Sequence, residues 1–217
     1  MKVLVTSGAT REPIDSVRFI SNLSSGQTGA AICEALAVRG FEITQLHGVD
    51  SARAARAMRR FVFTDHASLD ALLRQHLRDG DYDAVIHSAA VGDVSLAEPA
   101  GAIKLASGGE LLLHLVPTAK LIDRIRGYAG GRELLLVGFK LTHDPDAVAQ
   151  AGAAQALLAR CDADYVVQND VATLGDGEEH VFTIHARGGG EWRCAGRREL
   201  GTALALLLDP PLARSLA

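Results

Sequence analysis

Residues able to handle a phosphorylated ligand gather between Lys2 and Gly40, in KVLVTSGATREPIDSVRFISNLSSGQTGAAICEALAVRG. An apolar strand breaks at Ser7-Gly8. A polar loop carrying Arg11, Asp15, Arg18 and Asn22 follows, and a helix opens at Ser24-Ser25-Gly26, with Gly29 close behind. This is the plan of a phosphate-binding strand–turn–helix with its glycines pulled apart, because a G-x-G-x-x-G motif holds them in one tight turn. The helix start at Ser25 offers free backbone N–H groups and the positive end of the helix dipole. The widened loop leaves room for a second anionic substrate beside a nucleotide.

Ligands of open parallel sheets bind outside the carboxyl ends of the strands, so those ends supply the other candidates. They carry Gly8-Ala9-Thr10, then Ala89-Ala90-Val91-Gly92-Asp93, then Gly138-Phe139-Lys140, then Asn169-Asp170. Lys104 stands alone in an apolar loop, where a merely solvated loop would carry more polar residues. Lysines neutralise developing phosphate charge, and an aspartate such as Asp93 can hold magnesium. Such a rim suits phosphoryl or nucleotidyl transfer. Each residue also has a plainer role: Gly8 as a turn glycine, Asp93 and Asp170 as turn residues, Lys140 pointing to water, Ser24 and Ser25 as helix caps. A Rossmann-type NAD(P) oxidoreductase is the alternative. It lacks an acidic residue after the second strand, where His47 stands, and a Tyr-x-x-x-Lys pair: Ile86, Arg132 and Asn169 follow Tyr82, Tyr128 and Tyr165 at that spacing. The eight histidines form no zinc-like cluster.

The elements that must position this rim alternate. Strands are expected at Val3–Thr6, Phe41–Leu46, Arg60–Thr64, Ala84–Val91, Leu134–Phe139 and Tyr165–Gln168. Helices are expected at Thr28–Arg39, Ser68–Arg78, Leu121–Tyr128 and Ala147–Arg160. Continuous apolar strands alternating with helices predict a Rossmann-like α/β fold, a mostly parallel sheet with helices on both faces. A C-terminal hairpin around Gly188-Gly189-Gly190, within 180–196, and a closing helix at Arg197–Asp209 complete one domain over 1–217. Residues 95–110 read as a mobile flap bearing Lys104.

A chain of 217 residues, 48% hydrophobic and 22% charged, has an ordinary globular balance. A net charge of −4 argues against a nucleic-acid partner. The run Arg53, Arg56, Arg59, Arg60 reads as a solvated helix face. Three scattered cysteines, Cys33, Cys161 and Cys194, fit a reducing cytoplasm. The sequence starts on a strand signal, so no targeting segment is expected, and its apolar runs are too short for a bilayer.

The segments VTSGATREPIDSVRFISNLSSGQTG, IHSAAVGD, IKLAS, VGFKLTHD and DADYVVQNDV together resemble the phosphopantothenate–cysteine ligase family of coenzyme A biosynthesis, in its stand-alone bacterial form. The resemblance covers nearly the whole chain, and D-x-V-R-x-I-S-N-x-S-S-G is its most specific part. It implies a two-step ligation. The carboxylate of 4′-phosphopantothenate attacks the α-phosphorus of CTP (or ATP) with Mg²⁺, pyrophosphate leaves, and the amine of cysteine then displaces CMP. It implies Lys104 and Asn22 as catalytic residues, on the flap and at the acyl intermediate. Arg18, Ala89 and Ala90 would join Asn22 in binding substrate. Gly8, Ala9, Thr10, Ser24, Ser25, Gly26, Asp93, Phe139 and Lys140 would bind the nucleotide. A homodimer in which one substrate loop completes its neighbour's site is implied too, with the 180–196 hairpin as candidate dimerisation element. Three departures stand out, one of them the reduction of the fused form's lysine-rich flap to Lys104 alone. The family usually has Gly-Gly-Thr where this chain has Gly8-Ala9-Thr10, and an aromatic residue where it has Val94. A methyl at Ala9 is expected to disfavour positive φ and crowd a phosphate, which keeps a non-catalytic nucleotide-binding relative as a further alternative.

Overall fold

The computed structural model describes residues 1–98, 104–105, 108–173 and 180–209. In chain order come β1 (Lys2–Ser7), a short hairpin of β2 (Arg11–Pro13) and β3 (Phe19–Ser21), α1 (Gln27–Val38), β4 (Glu42–Gly48), β5 (Arg59–Phe63), α2 (His66–Asp79) and β6 (Ala84–His87). Then follow β7 (Val94–Leu96), β8 (Leu115–Pro117), a 3₁₀ turn at Leu121–Arg124 leading into α3 (Ile125–Tyr128), β9 (Leu135–Thr142), α4 (Ala147–Cys161), β10 (Tyr165–Asp170), β11 (Val181–Ala186), β12 (Glu191–Ala195) and α5 (Gly196–Leu208).

Eight strands form one sheet in the order β12-β11-β10-β9-β6-β1-β4-β5. The six from β10 to β5 are parallel, and β11 and β12 add an antiparallel edge. Strand alternation divides the core in two. Val3, Val5, Ile86, Val137 and Val167 face α1 and α5, with Ile32, Leu36, Leu200 and Leu204. Leu4, Val85, Leu136 and Val166 face the other side, with Leu69 and Leu73 of α2, Ile125 of α3 and Leu157 of α4. Burial on both faces explains why these strands read as continuous apolar runs. The chain leaves β1 toward β4 on one side and returns to β6 on the other, so the sheet's switch point lies between β1 and β6, where a crevice opens.

The expected α/β architecture, hairpin and closing helix are all present. Two local readings change. The arginine run is not a helix: residues 51–58 turn, and Arg59 and Arg60 enter edge strand β5 opposite Thr44 and Gln45. Cross-strand pairing there overrides helical spacing. The fourth strand stops at His87, because Ser88 and Ala89 turn their backbone and side-chain donors onto Thr6; one isolated bridge, Ala9 to Ala90, follows. β7 and β8 pair antiparallel on either side of the expected flap, of which 99–103 and 106–107 lie outside the described residues.

Candidate functional site

The rim of the sheet is shaped by three glycines that meet one serine. A Cβ on Gly8 would overlap Ser51 Oγ, one on Gly26 would press on Ser51 Cβ, and one on Gly48 on Ser51 Oγ. Gly8 and Gly26 also hold φ of 85° and 74°, which only glycine adopts cheaply. The spread-out glycines thus bring three chain segments together around Ser51. Ala9, by contrast, has no positive φ, so its methyl carries no backbone strain. It lines a side cleft of about 370 Å³ with Arg11, Phe19, Asp50 and Ser51, which adjoins the two larger clefts through Asn22, Leu23 and Ser24. The expected conflict with a positive φ at Ala9 is therefore corrected. Thr10 is fully buried and accepts the Gly92 N–H at 2.8 Å, fixing the turn before Asp93.

Two larger clefts open at the switch point and share Leu23, Ala89, Ala90, Phe139 and Leu141. The first, about 700 Å³, is lined by Ser24, Ser25, Gly26, Gln27, Thr28 and Gly29, with Ser88, Asn169, His180, Phe182 and Arg197. Gly26 is the N-cap of α1 and supplies no side-chain cap, and Ser25 Oγ lies a long 3.4 Å from the Gln27 N–H. The Thr28 and Gly29 N–H groups find no acceptor among the described residues, so the helix start faces the cleft with bare donors. Gly29 is required there, because a Cβ would strike Ser7 and Ser88. Arg197, at the start of α5, reaches Thr28 Oγ1 at 3.3 Å and adds positive charge. Asn169 Nδ2 and His180 Nε2 are 2.9 Å apart, and His180 stacks on Phe182. Burial, and then Arg197, lower the His180 pKa, so the ring stays neutral and the amide can donate to it.

The second cleft, about 870 Å³, is lined by Asn22, His87, Ala89 to Asp93, Ala119 to Ile122, Phe139 to Leu141, Ala153, Ala156, Leu157, Arg160 and Val171. On α4, Ala153, Ala156 and Leu157 give it an apolar wall, with Arg160 at one end. Its polar groups are few: Asn22, whose Nδ2 donates to Val91 O at 3.1 Å; Asp93, paired with Lys120 at 2.5 Å; Lys140; Arg160; and His87.

The structure thus brings together Ser24, Ser25, Gly26, Ala89, Ala90, Asn22, Asp93, Phe139 and Lys140. Gly8, Ala9, Thr10, Arg18 and Lys104 line neither of the two larger clefts. Arg18 instead pairs bidentately with buried Asp15 and donates to Leu105 O, while Leu105 N–H donates to the same carboxylate. These donors hold Asp15 far below the usual carboxylate range, led by the Arg18 guanidinium. The loop carrying Asp15 and Arg18 and the residue next to Lys104 are thereby joined. Asp170 is a scaffold residue: Thr142 Oγ1 and the N–H groups of Asp144 and Ala172 donate to it, and its pKa is lowered, chiefly by Thr142. Among the described residues no three His, Cys, Asp or Glu side chains meet to hold a metal, and no helix is long and apolar enough to cross a membrane.

Sequence reasoning missed His180 and Arg197, which reach the first cleft from far along the chain. No local pattern marks either. It also missed His87, although the residue stands inside a segment, IHSAAVGD, that was read for its small residues.

Comparison with known proteins bears on this geometry. The family model for the DNA/pantothenate metabolism flavoprotein C-terminal domain matches residues 1–208. The coenzyme A biosynthesis bifunctional protein CoaBC of Thermococcus kodakarensis is 37% identical over 183 residues, 84% of this chain and 44% of that protein. The chain thus spans less than half the length of this curated relative. A solved Streptococcus pneumoniae structure, a DNA/pantothenate metabolism flavoprotein, is 25% identical with a TM-score of 0.82, covering 94% of this chain and 96% of that one. A Cab2 mutant in complex with phosphopantothenate-cysteine shares the fold at 19% identity and TM-score 0.78, over 100% of this chain and 89% of that one.

Proposed function

The chain belongs to the DNA/pantothenate metabolism flavoprotein C-terminal domain family, and on that footing we propose that it joins 4′-phosphopantothenate to cysteine at the expense of a nucleoside triphosphate. One observation carries the reading: a polar cleft with a bare helix start meets a mostly apolar cleft across the shared wall of Ala89, Ala90 and Phe139. A triphosphate suits the first, where the Thr28 and Gly29 N–H groups and Arg197 balance its charge. An amide-containing acyl chain suits the second. The carboxylate then meets the α-phosphorus at the junction.

In the first step a carboxylate oxygen bonds to the α-phosphorus and the bond to pyrophosphate breaks, leaving an acyl-nucleotide. In the second the cysteine amine attacks the acyl carbon, loses a proton, and the nucleoside monophosphate departs. Asn22, at the junction, turns its amide from Val91 O toward the acyl oxygen as negative charge develops there. Lys104 closes over the phosphates from the flap and shields the acyl-nucleotide from water. Phe139 flanks the base. Asp93 and Lys140 line the acyl side of the junction, which favours contacts to substrate there over contacts to the triphosphate tail. Magnesium would enter on the triphosphate, and Asp93, on the acyl side of the junction, is the carboxylate that would hold it there, where it would offset charge at the reacting α-phosphate. Arg18 lines neither of its own clefts, and Val17 and Phe19 beside it are exposed, which supports a homodimer whose loop serves the neighbouring site. CTP is the proposed nucleotide, with ATP the competitor.

Pyrophosphate release with 4′-phosphopantothenate and each of the four ribonucleoside triphosphates tests the reading. Release with one triphosphate, and phosphopantothenoylcysteine once cysteine is added, is the expected result. No pyrophosphate under any of the four would overturn it.

A further inference from the structure

His87 ends β6 beside Thr6 of β1, and the pair sits under the shared wall of the two clefts. Its Nδ1 lies 3.0 Å from Thr6 Oγ1. That hydroxyl accepts the Ala89 N–H at 3.1 Å, and Nδ1 is its one other side-chain or backbone partner among the described residues. If Nδ1 carried the proton, the buried Thr6 hydroxyl hydrogen would have no acceptor, which costs more than the alternative. The Thr6 O–H therefore donates to Nδ1, and the proton of the ring sits on Nε2. Nε2 has no protein partner among the described residues, is not sealed from solvent, and belongs to a residue lining the second cleft. Burial alone drives the His87 pKa down to about 4, so the ring is neutral at pH 7.

The geometry points to His87 as a specificity-determining residue: a fixed Nε2–H donor in a largely apolar wall, reading a neutral oxygen acceptor of the acyl substrate, an amide carbonyl or a hydroxyl. Thr6 is the positioning residue that sets the tautomer and, through the Ala89 N–H, ties it to the wall. A charged histidine would attract either anion of the reaction. A neutral donor discriminates an amide-bearing acid from a simple carboxylic acid, because a substrate lacking the acceptor leaves Nε2–H unpaired. The inference rests on the proposed assignment of the second cleft to the acyl substrate.

The test uses the full chain labelled with ¹⁵N-histidine. In the ligand-free protein at pH 7 His87 is expected to show a bare Nδ1 and a protonated Nε2, and Thr6→Val to move the tautomer ratio. Added 4′-phosphopantothenate should shift the His87 Nε2–H and the Ala89 amide. His87→Phe should raise KM for 4′-phosphopantothenate about tenfold, the weight of one lost neutral hydrogen bond. The KM values for triphosphate and cysteine should stay within about twofold. His87→Gln, which keeps a donor, should recover part of the loss. A protonated Nδ1, an imidazolium, or a shift of the Ala89 amide without one at His87 overturns the inference and leaves the proposed function standing. No shift anywhere in the cleft overturns both.

Discussion

The two clefts share one wall of small residues and Phe139, yet they are built by opposite means. The first takes its character from backbone: the uncapped start of α1 and its bare N–H groups, available because Gly26 and Gly29 admit no side chain there. The second takes its character from side chains laid on a scaffold: an apolar α4 face, and single polar groups such as Asn22 and His87. A backbone-built cleft recognises charge and tolerates changes in surrounding side chains. A side-chain-built cleft recognises shape and is retuned by one substitution. The difference predicts which variants abolish binding, which redirect it, and which only unfold the chain.

The largest effects are expected from the residues proposed to act on the reacting atoms. Lys104→Ala and Asn22→Ala are each expected to lower kcat by about 10²–10³-fold, the loss seen when one transition-state donor is removed. Far-ultraviolet circular dichroism should be unchanged. If single-turnover rates stayed within about threefold, neither residue would act on the reacting atoms.

Next in size comes the glycine crossing beneath the backbone-built cleft. Gly8→Ala should destabilise by about 3 kcal/mol, combining a strained φ with overlap at Ser51. Urea denaturation would measure it. Adding Ser51→Gly should relieve the overlap and leave the φ cost of about 1–2 kcal/mol. If the double variant were no more stable than the single, the glycines would not be shaped by Ser51.

Acid should find the histidine under the wall of the second cleft. His87 has its pKa lowered from 6.5 to about 4 by burial, so the unfolded chain binds more protons between those values. Its contribution is complete above pH 6.5 and is lost as pH falls toward 4, about 3 kcal/mol in all. His180 and His76, also lowered by burial, add to the same slope. The carboxylates of Asp15 and Asp170 act only below their ordinary value of 3.8. Unfolding free energy should therefore rise with pH between 4 and 6.5, and His87→Gln should flatten that slope. An equal slope in the variant would mean the ring is hydrated.

A smaller effect separates the clefts directly. Arg197→Ala should raise KM for the triphosphate about tenfold while leaving 4′-phosphopantothenate within about twofold. Ala156→Trp, filling the α4 wall, should do the reverse. Equal changes in both KM values for either variant would mean that the two clefts hold one ligand.

How far the sequence discloses this arrangement follows from the range over which each signal acts. Strand alternation and helix stops are local, so β1, α1, β9 and α5 emerge within a few residues of their ends. The end of β6 depends on Thr6, which is distant in sequence, and the strands flanking the flap depend on β7 meeting β8; neither pairing leaves a local mark. At the site, Ser24 to Gly26, Asn22 and the Ala89-Ala90 pair are legible because motif and strand end coincide. Arg197 and His180 are not, because tertiary folding alone carries them to α1. The glycines were legible as special positions, but their reason was not: Ser51, which none of the motifs contains, shapes them.

Ala9 gives the smallest and sharpest comparison. A pattern with glycine at this position invites the reading that the methyl spoils a phosphate site. In the fold Ala9 keeps an ordinary φ, bridges to Ala90, and lines the side cleft beside Arg11 and Asp50, next to the larger clefts. Ala9→Gly should therefore leave the triphosphate KM within about twofold and lower stability by roughly 0.5–1 kcal/mol, through the added freedom of the unfolded chain. Isothermal titration with CTP and ATP, alongside urea denaturation, reads both quantities. A tenfold gain in nucleotide affinity would mean that the phosphates lie against Ala9 after all, and that the bare start of α1 serves a different ligand.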